Sequence, residues 1–227
     1  MNDAAGPAHW RTRAWLTLGA TIWLAAIGVG MRAVYRFSET PGDPGQPPAI
    51  WPLDSGIPRP TASPVLIMMV HPHCSCTGAS LEELARAMVR GRGKAEVYVL
   101  FLKPAGLGQE WVKTGLWSRA AEIPGVSVLA DDRGNEARRF GVATSGHVLL
   151  YDRAGSLRFS GGITDARGHA GDNPGAEALV KQLLGAAPSP QRFFVFGCSL
   201  YFSLYFLTFL TFSPTLVLQS NISRCGP

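Results

Sequence analysis

The sequence predicts an α/β domain, a mixed sheet flanked by helices, with an N-terminal transmembrane helix and a possible C-terminal one. Three observations carry this. Residues 14–31, AWLTLGATIWLAAIGVGM, form an uncharged apolar run bracketed by arginines. From residue 65 to residue 185, short apolar runs alternate with segments whose apolar residues recur at helical spacing. Two cysteines, Cys74 and Cys76, fall at the first junction between such a run and such a segment.

The apolar run of eighteen residues, at about 1.5 Å each, spans roughly 27 Å, close to the thickness of a hydrocarbon core. It ends in Met31-Arg32-Ala33-Val34-Tyr35-Arg36, which lacks the small-residue cleavage site of a secretory leader. Residues 1–13 are therefore expected as an N-terminal cytoplasmic tail, 14–31 as a transmembrane anchor and 32–64 as a linker. Residues 37–64 hold eight prolines, a composition suited to a semi-rigid spacer that keeps a domain off the bilayer. The net charge of +5 is no sign of nucleic-acid binding. Residues 65–190 carry 14 Lys/Arg against 12 Asp/Glu, so most of the excess lies in the flanks, away from any groove for a phosphate backbone.

The domain, residues 65–190, begins with VLIMMV, an unbroken apolar run expected of a strand buried on both faces. A helix follows on Leu81, Leu84, Ala85, Met88 and Val89, with Ser80 and Glu83 as a candidate capping box and Thr77 as an earlier cap. Gly91 and Gly93 stop it. Residues 96–102 read as a strand, 107–121 as a helix closed by Pro124-Gly125, and 126–130 as a third strand. A short helix over 135–140 ends at Gly141, with Asp131 and Asp132 as turn residues before it. Residues 147–151 and 156–160 flank Ala154-Gly155 as a hairpin, with His147 expected on the surface. Asn173 caps the last helix, Pro174 opens it, and Ala176, Leu179, Val180, Leu183 and Leu184 form its buried stripe. Alternating units call for parallel strands with right-handed crossovers, and the hairpin adds antiparallel ones.

The cysteines lie in His71-Pro72-His73-Cys74-Ser75-Cys76-Thr77, between the first strand and the first helix. The free N–H groups and positive dipole end of a helix stabilise a thiolate there. A second thiol two residues away can resolve a mixed disulfide formed at the first. A C-x-C ring is tight, so its disulfide should be strained and readily reduced. The competing readings are a structural disulfide and a soft-metal site with His71 and His73 as imidazole ligands.

With HPHCSCTGASLEEL, DDRGNEARRFGVATSGHVLLYDRAGSLRFSGGIT and RGHAGDN in view, the segment from Val65 to Gly185 resembles the thioredoxin-like superfamily. It is most similar to bacterial membrane-anchored redoxins of the TlpA and RedB-like type. The resemblance implies a thioredoxin-like fold, with Cys74 as the exposed nucleophile and Cys76 as the resolving thiol. Two departures stand out. The motif is C-x-C where the family has C-x-x-C, and Ser145 stands where its cis-proline, which grips extended substrate chains, would fall.

If the hairpin starts beside the cysteines, the loop over 161–173 returns to them. His169, with Asp172, is then a candidate proton shuttle or distant ligand, and His73 a second accessory group. No metal is expected. The alternative is copper held by Cys74, Cys76, His73 and His169, as the Sco-type copper chaperones, also thioredoxin-like, pair a cysteine motif with a remote histidine.

Beyond residue 190 the composition changes: seven of eleven phenylalanines lie between Phe193 and Phe212. Residues 191–227 read as an apolar tail with a possible second span, 193–218, although Cys198 could still close the domain, as RedB-like redoxins are similar there, and Cys225 is incidental. The expected function is a thiol–disulfide oxidoreductase in a bacterial inner membrane. Its domain faces the periplasm and its partners are the membrane and a protein thiol or disulfide, with no cofactor.

Overall fold

The computed structural model describes residues 8–187 and 192–200. The chain divides into two compact units, the first ending at Glu39 and the second starting at Thr40.

The first unit is one helix, α1 (Ala8–Glu39), of 32 residues. Over Trp10–Glu39 it is long and apolar enough to cross a membrane. The helix outruns the expected anchor because residues 32–39 contain no breaker; Pro41 is the first residue that forbids continuation. The expected linker therefore loses its first eight residues to α1.

The second unit holds a five-stranded sheet in the order β3-β2-β1-β4-β5. The central strand β1 (Val65–Val70) is buried at all six residues, as its unbroken apolar sequence requires. β2 (Glu96–Lys103) pairs parallel to it, with Val65 opposite Glu96 and Met69 opposite Leu100. β3 (Val126–Asp132) pairs parallel to β2. On the other side β4 (His147–Tyr151) runs antiparallel to β1, with Met69 opposite His147, and β5 (Leu157–Gly161) closes the hairpin one residue later than expected.

Helices α2 (Ser75–Arg90), α4 (Gly115–Ala121) and α6 (Pro174–Leu183) cover one face. Their buried residues, among them Leu81, Leu84, Ala120, Leu179 and Leu183, pack on Leu66, Met68, Val99, Phe101, Val148 and Leu150. α6 begins as expected: the Asn173 side chain accepts from Ala176 N at 2.8 Å and Pro174 follows. Leu184 is not in the stripe; it lies past the helix end and is exposed. The single helix expected over 107–121 is two, α3 (Gln109–Val112) and α4. The chain turns between them where the Thr114 hydroxyl donates to the Pro72 carbonyl at 3.1 Å, and Gly115 favours the break.

The other face has a different cover. Among the described residues, only α5 (Asn135–Arg139) is helical there. Asp131 ends β3 and caps α5, accepting from the amides of Glu136 and Ala137 at 2.8 and 2.9 Å. The rest is irregular chain. Trp51 and Ile57, from the expected spacer, are buried against Phe140, Tyr151 and Met69. Trp51 meets Phe140 and Tyr151 edge-on at 5.0 and 5.3 Å. Backbone bonds lace the segment down: Gln46 N to Gly141 O, Trp51 N to Gly155 O and Leu157 N to Ala49 O, each 2.8 Å. Residues 40–64 thus belong to the domain. Proline-rich chain cannot build a ladder, but its apolar side chains still gain by burial.

Residues 192–200 form a strap on the same domain, so the domain does not stop at residue 190. Val195, Phe196 and Leu200 are buried, and Phe193 stacks on Phe159 at 5.5 Å. The remainder of the expected second span, from residue 201, and Cys225 lie outside the described residues.

Candidate functional site

The site forms where β1 ends. Cys74 is the N-cap residue of α2 and Cys76 the second residue of the helix. The cap therefore lies six residues ahead of Ser80, whose hydroxyl instead bonds back to the Cys76 carbonyl within the helix. Both cysteines are thiols and both are buried. Cys74 is thus not the exposed nucleophile that the resemblance implies. The chain folds back over it as the Cys74 amide donates to the His71 carbonyl at 3.2 Å.

The two thiols are hydrogen-bonded to each other. The Cys76 thiol is pushed far above its ordinary range, first by its hydrogen bond to Cys74, then by burial and by the Cys74 charge. The Arg167 guanidinium and a bond from Ser75 act the other way. Cys76 therefore keeps its proton, while Cys74 caps the end of α2, where unpaired amides face outward and favour a negative charge.

His71 stays neutral: burial lowers its pKa, opposed by Cys74 and helped by His73. Its Nδ1 accepts from the His73 amide at 3.1 Å, which leaves the ring proton on Nε2. His73 is exposed, and its Nε2–H donates to the Trp111 carbonyl at 2.9 Å. The Trp111 ring lies 4.6 Å from His73 and 5.6 Å from His71. Nothing in the sequence marked Trp111; it comes from the short helix hidden inside the longer expected one.

Ser145 occupies the position expected of it and acts as a clip. Its buried hydroxyl accepts from the His71 amide at 2.9 Å and lies 3.0 Å from the Thr77 hydroxyl, directly after Cys76. Its own amide, which a proline would lack, donates to the Cys198 carbonyl at 2.8 Å. Cys198 thus does belong to the domain's end.

The loop over 161–173 returns to α2, but with a different residue. Its Gly171 amide donates to buried Glu83 at 2.8 Å, and Arg167 sets its charge on Cys76 and bonds the Gly197 carbonyl. His169 and Asp172 are exposed on the outside of the loop. Among the described residues, no three of the His, Cys, Asp and Glu side chains gather to hold a metal. His73 and His169 are not brought onto the two sulfurs. The loop's polarity and topology announce its return to the site, but the residue that meets the pair is Arg167, two positions before His169.

His147 is likewise not on the surface. It stands opposite central Met69, is 1 % exposed, and its Nε2 pairs with the Ser160 hydroxyl at 2.9 Å. Its Nδ1 has no hydrogen-bond partner among the described residues. Burial, with Arg192 nearby, lowers its pKa to about 4.

No family model matches the chain, and no curated protein matches it. Solved structures do. An uncharacterized conserved protein from Geobacillus kaustophilus is 20% identical with a TM-score of 0.52, covering 73% of this chain and 94% of its own. A hypothetical protein from Sinorhizobium meliloti is also 20% identical, with a TM-score of 0.51, over 73% of this chain and 96% of its own. The pneumococcal exposed lipoprotein thioredoxin from Streptococcus pneumoniae is 21% identical with a TM-score of 0.38, over 55% of this chain and 85% of its own. Three parallel strands, an antiparallel hairpin on the far side of β1, and helices packed on the sheet make this the thioredoxin-like fold.

Proposed function

We propose that this chain is a thiol–disulfide oxidoreductase of the RedB-like and TlpA-like kind, tethered by α1 to a bacterial inner membrane with its domain in the periplasm. The observation that supports Cys74 as the attacking sulfur is its place at the N-cap of α2, beside a second thiol that holds its proton. The Cys74 thiolate attacks one sulfur of a partner disulfide. A Cys74–partner bond forms, and the partner's other sulfur leaves as a thiolate and takes up a proton. Cys76 then gives up its proton and attacks the Cys74 sulfur. The Cys74–Cys76 disulfide closes, the partner leaves as a dithiol, and two electrons have passed to it. A protein dithiol would restore the pair. Export fits this chemistry, because cytosolic pools hold thiols reduced and a tight C-x-C disulfide is readily opened.

The test uses the purified full chain with insulin as the disulfide substrate. Cys74→Ser should abolish turnover, whereas Cys76→Ser in a Cys198→Ser background should accumulate a mixed disulfide at Cys74. Trapping at Cys76 in Cys74→Ser would reverse the roles, and full activity of the double variant would end the redox reading. In bacterial cells, alkaline phosphatase fused after Thr40 should be active if that end is exported. An inactive fusion beside a working cytoplasmic reporter at the same junction would put the domain inside.

A further inference from the structure

Both cysteines are buried, so the thiols best placed to meet them are those already in the fold. The strap brings one. Around the antiparallel bridge between Thr144 and Ser199, the Ser145 amide donates to the Cys198 carbonyl and the Leu200 amide to the Ala143 carbonyl, both at 2.8 Å. This register sets Cys198 directly opposite Ser145. Residues opposed across an antiparallel pair project their side chains to the same side, with Cβ atoms about 4.5–5.5 Å apart. Ser145 sends its hydroxyl to His71 N and Thr77 Oγ1, the two flanks of the cysteine motif. Cys198 shares that side.

The seat is fitted to the strap at three glycines. A Cβ on Gly197 would run into the Ser145 carbonyl, one on Gly162 into the Phe194 carbonyl, and one on Gly161 into Phe193. Arg167 links the same stretch to the pair, bonding Gly197 O while its charge acts on Cys76. Cys198 itself is only partly buried, unlike the two cysteines of the pair. The strap also fills the edge at residues 143–145, where an extended chain from another protein would otherwise pair.

Resting on the oxidoreductase reading, we infer that Cys198 is a third redox thiol, an internal exchange partner that carries disulfide between the buried pair and the surface. Its thiolate attacks Cys74 in the Cys74–Cys76 disulfide. The Cys74–Cys198 bond forms, the Cys74–Cys76 bond breaks, and Cys76 leaves and takes the proton that Cys198 gave up. The exchange needs no outside oxidant. A surface thiol partner then attacks Cys198 and releases Cys74.

The experiment uses the full-length Cys76→Ser protein, in which Cys74 cannot be resolved by its near neighbour. One equivalent of oxidised glutathione is added and the disulfides are mapped by peptide mass spectrometry. Cys74 takes glutathione, releasing one reduced glutathione, and Cys198 displaces the second. The expected product is a Cys74–Cys198 cross-link, lost in a further Cys198→Ser or Cys198→Ala change, with the Cys74 adduct persisting instead. Thermal unfolding of both variants shows whether the strap still packs. A stable Cys74 adduct with Cys198 still reduced, or a cross-link from Cys74 to Cys225, overturns the inference and leaves the oxidoreductase reading standing. A Cys74 that forms no disulfide at all, with glutathione or with Cys198, removes both.

Discussion

The two faces of the sheet are covered by unlike means. On one, α2, α4 and α6 lay regular apolar stripes on Leu66, Met68 and Phe101. On the other, Trp51, Ile57 and Leu200 from irregular segments, together with short α5, do the same for Ile67, Met69 and Tyr151. A helix declares its buried side in the sequence through a 3.6-residue period, whereas a strap buries whichever side chains its path allows. The stability gained follows the area removed from water in either case, so irregular cover is no weaker for being unpatterned.

That equivalence can be broken by truncating one core residue on each face. Leu84→Ala, on the helical side, should cost about 2–5 kcal/mol, and Trp51→Ala about 3–5 kcal/mol, by loss of burial plus the cavity left behind. Urea unfolding of the two variants measures both. A Trp51→Ala protein as stable as wild type would mean that residues 40–64 are a loose spacer after all, and the two faces would then differ in kind.

The same contrast explains what was legible in the sequence. β1 showed itself as VLIMMV and α6 through Asn173, Pro174 and its stripe, since local rules dictate both. The cysteine pair and the return of the loop over 161–173 followed from the order of elements, and Ser145 from the resemblance to thioredoxin-like proteins. Trp51 hid among prolines that signal extended chain, and such chain can pack as well as reach. Val195 and Leu200 hid in a phenylalanine-rich stretch whose hydropathy resembles a membrane span. Arg167 and Cys198 meet the site through contacts distant in sequence, which no periodicity encodes.

His147 extends the comparison to pH, because it shares its side of β4 with Leu149 on the strap-covered face. Its folded pKa, about 4, lies below the ordinary imidazole value of 6.5. As pH falls through 6.5 the unfolded chain takes up a proton that the folded chain refuses until about pH 4. Stability is therefore full above pH 6.5 and declines between 6.5 and 4, by about 3 kcal/mol for a shift of this size. Half-buried His71, also lowered, adds a loss of the same sign. His147→Gln should flatten most of that decline in unfolding experiments run across the window. An unchanged pH slope in that variant would mean that the orphaned Nδ1 is solvated in the folded protein.

The smallest effect isolates one bond between the strap-like cover and the sheet. The Tyr151 hydroxyl donates to the Pro48 carbonyl at 3.0 Å, and burial pushes its pKa upward because the charged form has no stabilising partner there. Tyr151→Phe keeps the ring and its edge contacts with Trp51 and Phe140. Only the bond is lost, and Pro48 is partly open to water, which can replace the donor. The expected cost is about 1 kcal/mol, the net worth of an ordinary hydrogen bond. It should appear as a lower urea midpoint with an unchanged slope, since the surface exposed on unfolding stays the same. A changed slope would show that the bond also holds residues 40–64 against the sheet, so that its loss frees the segment and exposes the face beneath.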